Sequence, residues 1–307
     1  MSRKIIYLIN PISGTKGKSE LKELIKRKTK EAGIAFEIMD TDKTGKYEAL
    51  KNKIGKENIT EVVVCGGDGT VSAVAAALLS IEINIGIIPM GSGNGLALAA
   101  NIPSAPAKAL DIIFNGKPSF IDGFYINNDF SCMLCGLGFD AQVAHDFAKQ
   151  KKRGLQTYIK VSAINYFKAS PYNFRIQSKE KSFDTSAWFI CIANSNQFGN
   201  NMKIAPRASL CDGLLDIVIV KKMNKLMLPL SVLAQFAGIN ALQNVNDYTD
   251  KRNIIYFQTP TLTIKNLSGA PFHIDGDPKD SVSEFKVRVV QNAIRLIQPS
   301  SLAEQGW

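Results

Sequence analysis

The chain has 307 residues, 45% hydrophobic and 21% charged, with 37 basic and 27 acidic residues and a formal net charge of +10. That length and balance exclude a disordered or fibrous chain and fit a globular protein of two domains. The positive excess suits an anionic partner such as a nucleotide or an acidic membrane surface, while basic segments without interleaved aromatics argue against nucleic acid.

Met1-Ser2-Arg3-Lys4 leads into Ile5 to Ile9, a run too short for the apolar core of a signal peptide and read as a first strand. Asn10-Pro11-Ile12-Ser13-Gly14 is the loop that leaves it. Gly17-Lys18-Ser19 ends like a P-loop, but Ile12 stands where the first glycine is required, so that reading fails. Leu21, Leu24 and Ile25 recur at helical spacing and predict a helix over Ser19 to Glu31. Its lysine-rich face reads either as solvated surface or as an attraction for anionic lipid. Ile34 to Met39 predicts a second strand, which ends near Thr41, and Tyr47 to Lys53 a second helix. Five cysteines without an export signal imply a reducing cytoplasm, and Cys132 and Cys135 read as buried structural residues.

Val62-Val63-Val64 reads as a short buried strand, followed by Gly66-Gly67-Asp68-Gly69-Thr70 and a predicted helix from Val71 to Leu79. A strand, a glycine turn and a helix aim free backbone N–H groups at an anion, and glycines admit close approach. Asp68 repels a phosphate unless a cation lies between them. Thr70 either caps the helix or bonds a phosphate oxygen. Ile83 to Pro89 predicts another strand, running into Gly91-Ser92-Gly93-Asn94, which is not a dinucleotide fingerprint because the third glycine is misplaced. Strands and helices alternate to about residue 115, so a parallel sheet gathers these glycine-bearing loops at one edge. That convergence predicts a nucleotide site.

From Phe120 onward short strands dominate: Phe130 to Leu134, Asn173 to Gln177, Trp188 to Ala193, Asp216 to Val220, Ile254 to Gln258, Thr261 to Ile264, Phe285 to Val290 and Ile294 to Ile297. They predict a mainly antiparallel β-sandwich. Val143 to Lys149, Gln156 to Phe167 and Leu226 to Leu242 read as helices, the last too interrupted to span a membrane. The expected division is an α/β domain over 1–120 and a β-rich domain over 121–307, with the last strand free to pack back on the first domain. A ligand cleft would lie between them.

Taken in order, the motifs resemble the diacylglycerol kinase catalytic-domain family of bacterial lipid kinases and sphingosine kinases. Those motifs are Asn10-Pro11 with Ser13-Gly14, Gly66-Gly67-Asp68-Gly69-Thr70, Gly91-Ser92-Gly93-Asn94, and Gly136-Leu137-Gly138-Phe139-Asp140. Asn194-Ser195 with Phe198-Gly199, Ile204-Ala205-Pro206, Asp212-Gly213-Leu214-Leu215-Asp216 and Asp275-Gly276-Asp277 follow. The resemblance implies an ATP-dependent kinase acting on a lipid hydroxyl, with Asn10, Thr41, Gly66, Gly67, Asp68, Gly69, Thr70, Gly91, Ser92, Gly93 and Asn94 around the nucleotide. It implies Mg²⁺ as a cofactor and a structural metal held by Asp212 with the carbonyls of Ser209 and Leu214. Asp122 belongs to the associated carboxylate network, although an Asp-Gly turn explains it as well. The general base falls on Asp277, where the family usually has glutamate, or on Asp68 as in the sphingosine kinase branch. His273 is a weaker candidate. The partners implied are ATP and a membrane lipid, met from the cytoplasm by peripheral contact with the anionic inner face of the membrane, with a homodimer left open. Two other readings stand beside this one. A nucleotide or lipid sensor without turnover would account for Asp277 and for Ser72, which replaces the usual asparagine. An NAD kinase-like enzyme would share the glycine loop but lacks its Asn-Glu pair here.

Overall fold

The computed structural model describes residues 3–11, 18–150, 155–197, 204–205, 207–223, 248–250 and 253–300. Ser13-Gly14, Phe198-Gly199, Pro206 and the helix expected over 226–242 lie outside the described residues.

The first half is a parallel sheet in the order β4 (Asn84–Pro89), β3 (Glu61–Gly66), β1 (Lys4–Ile9), β2 (Ala35–Asp40). Every residue of β3 is buried, as expected of a continuous β-branched run covered on both faces. The crossovers are helical: α1 (Lys18–Glu31), α2 (Glu48–Glu57) and α3 (Asp68–Leu78). α1 buries Leu21, Ile25 and Thr29, one line at four-residue spacing. Its opposite face is solvated, with Lys26 pairing with Glu23 and Lys28 with Asp111. After β4 come the short α4 (Gly95–Ala99) and α5 (Pro106–Asn115), which has proline at its start, where a missing N–H costs nothing.

The second half is mostly antiparallel. It contains β5 (Lys117–Ile126), β6 (Asp129–Ser131), β7 (Leu134–Gly138), α6 (Phe139–Ala148), α7 (Leu155–Lys168), β8 (Tyr172–Gln177), β9 (Ser182–Ala193) and β10 (Leu215–Lys221). β11 (Tyr248–Asp250), β12 (Ile254–Thr259), β13 (Thr261–Asn266), β14 (Phe272–Ile274), β15 (Asp277–Lys279) and β16 (Glu284–Gln298) complete it. Antiparallel ladders run in the order β11-β12-β10-β9-β8-β13-β16, while β7 joins β9 to β14. Phe124, Phe174, Ile217, Phe272 and Phe285 fill the core of this sandwich. The two strands expected over 285–290 and 294–297 are one strand, β16, broken by an irregularity between Val290 and Ile294. Near its end Arg295 and Leu296 pair in parallel with Asn84 and Ile85 of β4, so one sheet runs through both halves.

Two local differences bear on the site. The expected helix at Val71 begins three residues earlier, so Asp68, Gly69 and Thr70 form its first turn instead of a loop before it. The strand expected over 130–134 is divided in two, and at the break Met133 N donates to Ser131 Oγ (3.0 Å). The Gly136-Leu137-Gly138 motif is then strand, and Gly138, at φ +99, makes the passage into α6.

Candidate active site

β1, β3 and β4 are in register, so the segments leaving them meet at one edge. Asn10 N donates to Cys65 O (3.1 Å), Thr41 N to Ile9 O (3.1 Å), and Met90 N to Gly66 O (2.9 Å). Thr41 thus lies at the edge beside Asn10. There the two glycine turns touch backbone to backbone: a Cβ on Gly91 would stand 2.6 Å from the Gly67 Cα. A Cβ on Gly66 would meet the Thr70 side chain at 2.8 Å. A larger residue at Gly91 would force the two turns apart, and one at Gly66 would displace the Thr70 side chain.

Side chains lock the same edge. Asn10 Nδ2 donates to Thr70 Oγ1 (2.8 Å). Thr70 is therefore no helix cap; the cap position is Gly67, and it makes no side-chain bond. Asn94, left-handed at φ 52, folds back so that Oδ1 accepts from Gly91 N (2.8 Å) and Nδ2 donates to Gly91 O (2.9 Å). That bonding fixes the Gly91-Ser92-Gly93 turn. Asp68 reaches across: Oδ2 accepts from Gly95 N (3.0 Å) and Oδ1 from Leu96 N (3.0 Å). A carboxylate at the first amides of α4 binds one glycine turn to the other. Burial pushes the Asp68 carboxyl above its usual range, against the amide hydrogen bonds that favour the charged form.

Asp277 arrives from the second half. Asp275 (φ 52) and Gly276 (φ 81) form the two-residue turn of the β14–β15 hairpin, both in the left-handed region that this hairpin geometry requires. The turn carries Asp277 over the first turn of α3, where its Oδ2 lies 2.5 Å from the place a Cβ on Gly69 would take. Behind the turn, His273 Nδ1 accepts from Gly276 N (3.2 Å) and Nε2 faces Asp140 Oδ2 (3.2 Å). Asp140 thereby holds the proton on Nε2, which leaves Nδ1 as the acceptor. Both side chains are buried. Gly136, opposite His273 in the β7–β14 ladder, leaves room for the pair. Asp275 itself points inward, and its Oδ1 accepts from Ser131 Oγ (2.6 Å) and Leu134 N (3.3 Å). Burial raises its carboxyl to about 6, and the charge of Asp68 adds to the rise.

The remaining carboxylates form a neighbouring group. Asp122 is buried, with Oδ2 accepting from Gly213 N (2.8 Å) and Oδ1 from Asn292 N (2.9 Å), which joins β5, the 210–213 turn and the irregular part of β16. Asp212 accepts from Leu214 N (3.0 Å), and its carboxyl is raised by burial, with the Asp122 charge adding. Gly213, at φ +74, makes this a true Asp-Gly turn. Among the described residues no three acidic, histidine or cysteine side chains cluster for a metal. The Asp212 carboxylate and the backbone oxygens of Ser209 and Leu214 in the same turn have the donor chemistry that a hard cation takes. Asn194 connects the two groups: its Nδ2 donates to Asp122 O (3.0 Å) and Cys132 O (3.0 Å), and Cys132 N donates to Ser72 Oγ (3.3 Å) on α3.

Ser131 and Asn292 are the residues that sequence reasoning passed over; Asp140 and Asp275 entered it only as members of motifs and His273 only as a weaker base candidate, without the contacts they make here. The left-handed Asp-Gly pair before Asp277 was a readable hairpin signal, whereas the partners of Asp275 and Asp122 are distant in sequence and carried none.

Comparison with known proteins gives the family in which this arrangement stands. Residues 4–126 match the diacylglycerol kinase catalytic domain, and residues 134–298 match the YegS C-terminal NAD kinase beta sandwich-like domain. The chain belongs to the diacylglycerol kinase catalytic-domain family. A Chromohalobacter salexigens protein named "Probable lipid kinase YegS-like" is 26% identical over 290 residues, which cover 92% of this chain and 90% of that one. A Staphylococcus aureus protein named "Diacylglycerol kinase" is 27% identical over 281 residues, covering 89% and 85%. The crystal structure of a diacylglycerol kinase from Bacillus anthracis superposes with a TM-score of 0.72 at 17% identity, over 97% of this chain and 98% of the other, a likeness of fold. Membership establishes a kinase-type family and the α/β-plus-sandwich architecture. Among the described residues no helix is long and apolar enough to cross a membrane.

Proposed function

We propose that the protein transfers the γ-phosphoryl group of ATP to a hydroxyl group of a membrane lipid, with Asp277 as general base. The observation that carries this reading is the Asp277 carboxylate held over Gly69, in the first turn of the helix whose amides face the glycine edge. A base adjacent to a phosphate-binding helix start can take the proton of an incoming hydroxyl while its oxygen attacks the terminal phosphorus. The new bond is O–P, and ADP departs with the electrons of the broken one. The bare glycine turns let the phosphates come close to the start of α3, and Mg²⁺ accompanying ATP would neutralise the charge that Asp68 and the phosphates bring together. Asp68 acts here through structure: its two oxygens are engaged by Gly95 and Leu96, which keeps the glycine turns in contact.

Asp212 with the carbonyls of Ser209 and Leu214 would hold a second, structural cation that firms the 209–214 turn, with Asp122 supporting the turn through Gly213 N. Diacylglycerol, a sphingoid base and ceramide all present the hydroxyl that the reaction needs. The test is incubation with γ-labelled ATP, Mg²⁺ and a panel of these lipids in micelles, with Asp277→Asn and Asp68→Ala alongside. Label in one lipid, lost in Asp277→Asn while ATP still binds, supports the reading. Undiminished transfer by Asp277→Asn returns the base role to another group, and ATP binding without label in any lipid favours a sensor.

A further inference from the structure

β9 ends at Ala193, and the residues that follow it run toward the glycine edge. Asn194 N and Ser195 N both donate to Met133 O (2.9 and 3.2 Å), at the break between β6 and β7. Gln197 then reaches the start of α4: a Cβ on Gly95 would lie 2.9 Å from Gln197 O and 2.6 Å from Met133 Sδ. Gly95 is the residue whose N–H donates to Asp68 Oδ2 (3.0 Å). The segment therefore belongs to the second half of the chain, yet it packs on the turn that Asp68 secures. Three of its side chains carry a buried oxygen that accepts no hydrogen bond among the described residues: Asn194 Oδ1, Asn196 Oδ1 and Gln197 Oε1. Asn194 is fully buried and Gln197 is 6% exposed. The Asn194 amide is fixed in orientation, because Nδ2 donates to Asp122 O and Cys132 O (both 3.0 Å) and Oδ1 must face away from them.

A buried acceptor left unmatched is unfavourable, and three within four residues mark a place that a ligand's donors complete. Ionised phosphate offers acceptors only, so these oxygens do not serve the phosphates of a nucleotide. A divalent cation takes carboxylates as well as amide oxygens. Both oxygens of Asp122 and of Asp68 are already engaged by backbone N–H groups. The alcohol that accepts the phosphoryl group remains. Its reacting hydroxyl gives its proton to the base, so the donors that match the amides come from other groups of the same lipid. Diacylglycerol has none, because its other polar groups are esters, which only accept. A second hydroxyl or an ammonium group beside the reacting hydroxyl supplies them.

We propose that Asn194, Asn196 and Gln197 form a headgroup subsite that selects lipids with an O–H or N–H donor beside the reacting hydroxyl and disfavours diacylglycerol. This rests on the lipid-kinase reading and narrows it. The experiment follows label from γ-labelled ATP into a short-chain monoacylglycerol, the corresponding diacylglycerol and a sphingoid base. The monoacylglycerol adds a second hydroxyl, the sphingoid base an ammonium as well, and the diacylglycerol neither. Wild type is compared with Asn196→Leu/Gln197→Leu, with thermal unfolding confirming that the variant folds; Asn194 is kept because its Nδ2 has structural partners. In wild type kcat/KM for the donor-bearing lipids is expected to exceed that for diacylglycerol roughly tenfold or more, and in the variant by less than about threefold. Gln197→Glu separates the two donors: a gain for the sphingoid base over the monoacylglycerol assigns the ammonium, and no such gain assigns the hydroxyl. A wild-type preference for diacylglycerol, or a ratio that the double variant leaves unchanged, overturns the inference. So does a Mg²⁺-dependent rise in unfolding temperature that the double variant loses, which would make these oxygens cation ligands. Stabilisation by each lipid without ATP is measured in parallel. If no form of the protein transfers label, the kinase reading fails, and the order of stabilisation in wild type and variant still judges the subsite.

Discussion

Gly69 is without a side chain at the point where Asp277 passes over it: a Cβ there would lie 2.5 Å from Asp277 Oδ2. Gly69 also sits inside the first turn of α3 with an ordinary helical backbone. Alanine is favoured over glycine in a helix by about 1 kcal/mol, so Gly69→Ala should leave the unfolding temperature unchanged or higher. The carboxylate, however, must move. A displacement of ~1 Å at a positioned group is expected to cost on the order of 100-fold in turnover. A Gly69→Ala protein with turnover within about threefold of wild type would show that Asp277 has no exacting position to lose.

The Asp140–His273 pair bears on the same carboxylate from behind. With Asp140 charged, the His273 proton stays on Nε2 and Nδ1 accepts from Gly276 N. Asp140→Asn removes the charge that selects this tautomer, and the Asp275-Gly276 turn loses an anchor. Turnover should fall about 10-fold to 100-fold with the KM for ATP unchanged, because the glycine turns are not touched. Loss of ATP affinity without loss of turnover would assign the pair to packing alone.

Asp275 predicts a pH dependence of stability. Burial raises its carboxyl to about 6 in the folded protein, from the ordinary aspartate value of 3.8. Between those values the folded state binds more protons than the unfolded one, so this group makes stability fall as pH rises, and the cost is complete above about pH 6. Asp275→Asn keeps an oxygen for Ser131 and Leu134 and cannot ionise. Its stability relative to wild type should therefore rise by up to about 3 kcal/mol between about pH 4 and about pH 8. Denaturant unfolding at both pH values measures it, and a difference independent of pH would mean that Asp275 does not ionise in this interval.

Much of the site was legible because its signals are local. Gly66 to Thr70 and Gly91 to Asn94 follow buried β-branched strands directly, so the turn chemistry and the parallel register bring them together with no further information. Asp277 was readable by its place after Asp275-Gly276. The roles within the site were less so. Asp68 looks like a free carboxylate at a phosphate loop, but its partners Gly95 and Leu96 lie 27 and 28 residues away. Thr70 looks like a cap, but Asn10, 60 residues distant, claims its hydroxyl. Hydrogen bonds across that range depend on packing, which periodicity does not encode.

Asp212 and Asp122 lead to the last prediction. Burial raises the Asp212 carboxyl and the charge of Asp122 adds to the rise, while Asp122 is itself fixed by Gly213 N and Asn292 N. A divalent cation on Asp212 would relieve the cost of burying its charge, so an ion that binds this folded turn stabilises the folded protein by mass action. Millimolar Mg²⁺ or Ca²⁺, with no nucleotide present, should raise the wild-type unfolding temperature by several degrees, and the increment should vanish in Asp212→Ala. Asp277→Asn should retain the increment, which separates this turn from the phosphoryl-transfer edge. An equal rise in wild type and Asp212→Ala would place the ion elsewhere and leave Asp212-Gly213 as a turn alone.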